Sequence, residues 1–354
     1  APPIGDKELR GEFDSIAGRE MQSRKDKTRT GRAEGVKGKA VIACMQDIQP
    51  EPISWLWPGR IALGKLTLIA GDPGLGKSLL TASLAASVSK GYPWPLEDSS
   101  APLGDVVLLS AEDDPADTTR PRLDALEADC GRIHVLKAVQ DTDAKGLQTQ
   151  RMFSFQRDLA VLEELLPTLP DCRLLVIDPV SAYLDGAESH NNSDIRGLLA
   201  PLAELAARHK VAVILIQHLN KNSVGSALYR SMGSIAFVAA ARAAYIVTKD
   251  KDNPDRRLLM PTKNNLAKDT TGLAYSIITA QNGSAIIVWE KEPVMITADE
   301  ALSIPEPDGD HTATDEATDF LRDLLSNGSV KASEAQKEAR QAGISEKSLR
   351  RARE

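Results

Sequence analysis

The run Gly71-Asp72-Pro73-Gly74-Leu75-Gly76-Lys77-Ser78 follows the apolar stretch Leu66-Thr67-Leu68-Ile69-Ala70 without a break. It fits G-x-x-x-x-G-K-[ST], and the pattern is meaningful where an apolar strand turns into a helix, as it does here. Glycines let the backbone curl so that successive N–H groups point into one concavity, which side chains would otherwise fill. The helix expected over Lys77–Ser89 adds the positive end of its dipole. Residues Gly71, Asp72, Pro73, Gly74, Leu75, Gly76, Lys77, Ser78 and Leu79 are therefore the expected cradle of a nucleoside triphosphate. Lys77 is placed to reach the β- and γ-phosphates, and the Ser78 hydroxyl to ligate Mg²⁺. A glycine-rich turn that bound nothing would leave this lysine unexplained. ATP and Mg²⁺ are the expected cofactors.

At 354 residues there is room for one large α/β domain with small appendages. No stretch approaches the roughly eighteen apolar residues of a membrane span, and no signal-peptide pattern opens the sequence. Cys44, Cys130 and Cys172 are scattered, without a C-x-x-C or Cys/His spacing, and read as reduced thiols. The expectation is a cytoplasmic protein that does not meet a membrane. The net charge of −7 argues against general attraction to nucleic acid, so any such site must be local. The first residue is Ala1 rather than Met, which suits a piece of a longer product.

Residues 1–40 lack an apolar period, and Arg24, Lys25, Lys27, Arg29, Arg32, Lys37 and Lys39 crowd their second half. This reads as a flexible basic linker, either a solvated tether or an electrostatic arm. Residues 41–292 alternate strand and helix, the signature of a mostly parallel sheet. Strands are expected at Leu66–Ala70, Asp105–Ser110, Ile133–Leu136, Leu174–Asp178 and Val211–Gln217, with helices at Pro115–Ala128, Asp158–Leu169 and Ser193–His209. Ala243–Lys249, Leu258–Lys263, Ala274–Thr279 and Ala285–Trp289 then follow one another with turns between, as an antiparallel extension of the same sheet. Residues 293–313, rich in Pro, Asp and Glu, read as a linker. Residues 314–354 carry three short helical patterns, Thr314–Ser326, Ala332–Gln341 and Ser345–Arg353, the last two joined by Gly343-Ile344-Ser345. That is the spacing of a helix-turn-helix, truncated before any wing, with Lys347, Arg350, Arg351 and Arg353 on its final helix; short basic helices are also common without this meaning.

Leu174-Leu175-Val176-Ile177-Asp178 is an apolar strand ending in a carboxylate. Ligands of open α/β sheets sit off the carboxyl ends of the strands, so Asp178 is expected beside the phosphates, holding Mg²⁺ through water or Ser78. Val106-Val107-Leu108-Leu109-Ser110-Ala111-Glu112-Asp113-Asp114-Pro115 ends in acid too. Water attacking a γ-phosphate needs a carboxylate to orient it, and Glu112, first after the strand, is the expected base. The same cluster can cap the helix begun at Pro115 through Asp114, and the two roles are compatible. Gln217-His218 ends a further strand, where His218 would touch the γ-phosphate; an exposed histidine at a strand end is the plainer reading.

Together these pieces resemble the RecA-like hexameric ATPases, and among them the RepA type of plasmid and phage replicative helicases. The resemblance spans Ile53–Glu290. It rests on the loop, Ser110-Ala111-Glu112-Asp113 with Arg120-Pro121-Arg122-Leu123, Leu174–Asp178, Ile214–His218, and Arg230-Ser231-Met232-Gly233-Ser234-Ile235-Ala236-Phe237-Val238-Ala239-Ala240-Ala241-Arg242. It implies a RecA-like core whose ATP lies between neighbouring subunits of a homo-oligomer, a hexamer, with an arginine supplied in trans. Arg242 matches that position, Arg230 is the rival, and Lys263 is a second trans contact. It also implies DNA, single-stranded in such rings, threaded through a central channel past the loops Tyr183–Asp194 and Leu219–Ser231. Lys221 and Arg230 are the expected DNA contacts there. A primase-like domain can stand upstream in such proteins. One departure is Gln217, where the plasmid helicases carry a second histidine.

The expected function is thus an ATP-hydrolysing, ring-forming DNA motor of a mobile element, a replicative helicase. The alternative is a RecA-like ATP switch that assembles on DNA or on a replication partner without unwinding. A regulatory ATPase that ignores DNA is disfavoured by Lys221, Arg230 and the basic last helix.

Overall fold

The computed structural model describes residues 42–142, 146–185, 192–219, 235–268 and 270–302, and parts of 317–352. The chain divides into two units, Ala1–Pro52 and Ile53–Glu354. Of the first, only an exposed stretch with the 3-10 turn Met45–Asp47 is described, and the basic segment expected over residues 1–40 lies outside the described residues.

In the second unit, β1 (Trp55–Trp57) and β2 (Ile61–Ala62) form a small hairpin, and β3 (Leu66–Gly71) opens the main sheet. There follow β4 (Asp105–Ser110), β5 (Ile133–Val135), the separate hairpin of β6 (Val139–Thr142) and β7 (Gln148–Arg151), then β8 (Cys172–Asp178), β9 (Ala212–His218), β10 (Ala243–Lys249), β11 (Arg256–Asn264), β12 (Leu273–Thr279) and β13 (Ala285–Trp289). The nine-stranded sheet runs β13-β12-β11-β10-β3-β9-β8-β4-β5. From β10 to β5 every neighbouring pair is parallel, and β11, β12 and β13 extend the sheet antiparallel.

The central strands β3, β8 and β9 are apolar at almost every position because both sheet faces are covered. Leu66, Leu68, Leu175, Ile177, Val213 and Leu215 face one core, which helices Leu159–Leu165 and Asn192–His209 close. Ile69, Val176, Ile214 and Ile216 face the other, which helix Lys77–Lys90 closes. One residue further along each strand changes the face, so register decides which layer a side chain serves. Trp57 and Trp94 stack in the second core at 4.7 Å, with Trp289 edge-on to Trp57.

Three expectations need correction. The helix expected over Pro115–Ala128 is a π-turn, Pro115–Thr119, followed by a short α-helix, Arg120–Ala125. The helix expected over Asp158–Leu169 ends its α-helical part at Leu165 and tightens into a 3-10 turn containing Pro167, whose missing N–H and ring oppose a regular continuation. The first part of the expected 293–313 linker belongs to the sheet layer. Val294 exchanges two backbone hydrogen bonds with Gly272, and helix Ala298–Leu302 seats Ala301 beside Ile246, Leu258 and Met260. Residues 303–313 lie outside the described residues. Further on, every described residue between 317 and 325 is helical, and helices Ala332–Gln341 and Glu346–Arg351 follow. Among the described residues no helix is long and apolar enough to cross a membrane.

Candidate active site

Four adjacent parallel strands, β3, β9, β8 and β4, bring their carboxyl ends together, and each delivers one element of the site. Gly71 lies level with His218, and Asp178 level with Ser110, through direct register pairs. Neighbouring strand ends therefore place together residues far apart in sequence.

The loop after β3 is shaped by its glycines. A Cβ on Gly71 would stand 2.8 Å from the Val247 carbonyl oxygen of β10, so the loop can leave the sheet this close only without a side chain. Gly76 is left-handed (φ 81°) and caps helix Lys77–Lys90, where a Cβ would also meet Ile277 at 2.9 Å. Helix-N-terminal donors that no side chain caps are thereby turned toward the concavity of the loop.

Lys77 is only 4% exposed. Its ammonium donates to the carbonyl oxygens of Gly71 (2.8 Å) and Asp72 (2.9 Å), and lies 3.2 Å from His218 Nδ1. Burial lowers its pKa, against the pull of Asp178, Asp72 and Glu112. An ammonium on Nδ1 requires that nitrogen to accept, so the imidazole proton belongs on Nε2, which faces Glu112 Oε1 at 3.4 Å. That separation is an electrostatic contact rather than a made hydrogen bond, since Nε2 is otherwise buried without a partner. Lys77, His218 and Glu112 thus form one file of polar groups. Sequence reading assigned all three to the site but gave no sign that they touch.

The three acids after β4 divide their tasks. Asp114 accepts from the Ala116 and Asp117 amides, and these bonds hold its carboxyl below the usual range, as helix capping requires. Asp113 is paired with Arg122 at 2.7 Å. Glu112 is left exposed beside His218, with no cap or arginine holding it. The Asp113–Arg122 pair was not foreseen; its signal was Arg120-Pro121-Arg122, whose arginine falls nine residues after Asp113. Of the three, Glu112 alone is both exposed and unclaimed by a cap or an arginine, as suits a group that must meet a water. Glu112→Gln should keep ATP affinity and slow hydrolysis by roughly 10²–10⁴-fold, the loss of a general base. Single-turnover hydrolysis and equilibrium ATP binding separate the two, and a fall seen instead with Asp113→Asn would move the role to that residue.

Asp178 is 7% exposed at the end of β8. Burial pushes its carboxyl above the ordinary value, a hydrogen bond from Ser78 pulls it down, Asp113 and Glu112 push it up again, and Lys77 opposes them. A cavity of about 30 Å³ lies between Ser78, Asp113, Arg122 and Asp178, enough for a water. A hydroxyl and a carboxylate beside water and phosphate suit Mg²⁺, which takes few protein ligands and keeps much of its shell. The residues present fit that ion.

The raised pKa has a consequence for stability. The unfolded chain ionises Asp178 at the ordinary carboxylate value, whereas the fold holds the proton to higher pH. Stability is therefore lost as pH rises through the window between those two values. Asp178→Asn cannot ionise and should melt a few degrees higher at neutral pH, at the scale of ~2–4 °C per kcal/mol in a domain of this size. The gain should vanish below about pH 3.9, where both chains are uncharged at this position, and ATPase activity should be lost throughout. Thermal unfolding across pH measures this; a variant less stable at neutral pH would contradict it.

Arg242 stands elsewhere. Its amide donates to Leu66 O, at the start of β3, and Ala243 pairs with Thr67. The phosphate loop leaves the opposite end of β3, about 16 Å away at ~3.3 Å per residue. Arg242 is exposed, and Lys263 lies on the neighbouring strand, where its pKa is lowered by burial and then by Arg242. Lys263 Nζ donates to the Val238 and Ala241 carbonyls, closing the end of helix Ile235–Ala240. The structure brings Arg242 and Lys263 together and keeps both from their own loop. Lys221, Arg230 and residues 186–191 of the loop expected over Tyr183–Asp194 lie outside the described residues.

A protein-family profile described as an AAA domain matches residues 36–224, a stretch that contains the loop, Glu112, Asp178 and His218. No curated protein matches the chain.

Proposed function

The chain belongs to the AAA domain family, and from that premise we propose that it is an ATP-hydrolysing, ring-forming DNA motor, a replicative helicase of a phage, plasmid or other mobile element. The observation that carries hydrolysis is the convergence of Lys77, Ser78, Asp178 and Glu112 on the ends of adjacent parallel strands. The loop amides take the phosphate oxygens. Lys77 exchanges its two carbonyl partners for the β- and γ-phosphates, where its charge is far better matched. Ser78 and Asp178 would hold Mg²⁺, which when bound neutralises phosphate charge. Glu112 orients a water in line with the γ-phosphorus and takes its proton as the bond to ADP breaks. His218, between Lys77 and Glu112, is placed to feel whether Lys77 is drawn toward phosphate.

The ring is supported by Arg242. At about 16 Å from its own loop along β3, and exposed beside Lys263, it suits a contact with the next subunit's ATP. A RecA-like homo-hexamer on single-stranded DNA, with Lys221 and Arg230 as backbone contacts, completes this reading. It accommodates an upstream primase-like domain. The alternative, an ATP switch that assembles on DNA without unwinding, needs the same site. The test is ATPase activity with and without single-stranded DNA, together with strand displacement. Stimulation with displacement supports the motor, stimulation without it supports the switch, and no effect of DNA removes both.

A further inference from the structure

The last two helices, Ala332–Gln341 and Glu346–Arg351, are joined by four residues, Ala342 to Ser345. A connection of this length, with a glycine in its sequence, matches the pattern of a helix-turn-helix. Its ends are fixed by specific bonds. The Ile344 amide donates to Ala339 O (2.8 Å), closing the first helix, and Ser345 Oγ accepts from the Ser348 amide (3.1 Å), starting the second. Ala339 (1% exposed) and Leu349 (4%) bury one side chain from each helix. Ala317, in the preceding helical segment, is also fully buried.

The other face of the second helix is different. Arg350 and Arg351 are exposed, one and two positions beyond buried Leu349. Residues 345–353 carry Lys347, Arg350, Arg351 and Arg353 against the single acid Glu346, in a chain whose net charge is −7. A local basic face on an acidic protein is the electrostatic footprint of a polyanion site. Residues 332–354 contain no aromatic residue, so base stacking, the usual means of holding single strands, is missing. A short helix that presents arginines fits instead into a major groove about 12 Å wide, where arginine pairs with guanine in two hydrogen bonds.

We propose that this helix pair is a second nucleic-acid site, which binds duplex DNA through the major groove with Arg350 and Arg351 contacting bases or phosphates. It is independent of the ATP site and of the single strand assigned to the motor. The probe is a pool of duplexes with random 20-base-pair cores, alongside the same pool as single strands, captured on the 354-residue chain without nucleotide and sequenced. The expected result is enrichment of particular duplexes. Their affinity should fall roughly 10- to 100-fold in an Arg350→Ala, Arg351→Ala double variant, with a shallower salt dependence. ATPase activity should be unchanged, since neither arginine belongs to the site on the main sheet. Both positions are exposed, so the variant keeps its core, and an unchanged melting temperature checks this. Absence of duplex enrichment, or enrichment that survives the double substitution, would overturn the proposal.

Discussion

A Lys77→Ala chain is expected to show no ATP hydrolysis above background and to bind ATP at least about 100-fold more weakly, because charge-assisted hydrogen bonds contribute roughly 1.5–3 kcal/mol each and Lys77 is placed to make two. The fold should survive. Lys77 sits in the first turn of a helix in which alanine is the most favourable residue, and its burial disfavours its own charge. The melting temperature should therefore hold or rise while function disappears. His218 would lose its ammonium neighbour, a change in the imidazole environment visible by NMR. Full activity in a folded Lys77→Ala protein would sink the assignment of the loop.

Arg242→Ala should leave ATP binding intact and lower hydrolysis by roughly 10³–10⁵-fold, the range of an arginine supplied to a transferring phosphoryl group. In the proposed ring this help arrives from a neighbour. An Arg242→Ala chain and a Lys77→Ala chain, each inactive alone, should then recover part of the activity when mixed, since some interfaces join an intact loop to an intact Arg242. No recovery, with subunit exchange shown independently, would place Arg242 outside the reaction, and Arg230 would be tested next. A monomer hydrolysing at full rate with ATP and DNA present would end the shared-site mechanism.

The sheet was legible because burial writes plainly. Strands covered on both faces must be apolar throughout, so β3, β4, β8 and β9 stand out as continuous runs and fall within two residues of their expected bounds. The β6–β7 hairpin was missed for the opposite reason. Beyond buried Val139, its strands, Val-Gln-Asp-Thr and Gln-Thr-Gln-Arg, are polar and mostly exposed, and they are tied by Arg151, which bonds to Asp141 within the hairpin and to buried Asp158 beyond it. Such a tether is invisible to periodicity. The change of helix type before Pro121 and the tightening at Pro167 were overrun, because the sequence reading ran each helix straight through its proline. At the site, residue types and strand ends could be read, but contacts could not. That His218 meets both Lys77 and Glu112 follows from β9 lying beside β3 with β8 and β4 next in line, and strand order is not a local property of sequence.

Placing Lys77 and Arg242 at opposite ends of neighbouring strands also sets an arithmetic for mixtures. If the contact is made between subunits, each chain owns half of two sites and the whole of none. A chain defective at both positions would then silence the site on either side of it. Diluting intact subunits with such a chain would lower activity as the square of the intact fraction rather than in proportion to it, so a minority of dead copies would dominate. The same counting makes an open string of subunits always one site short of a closed one.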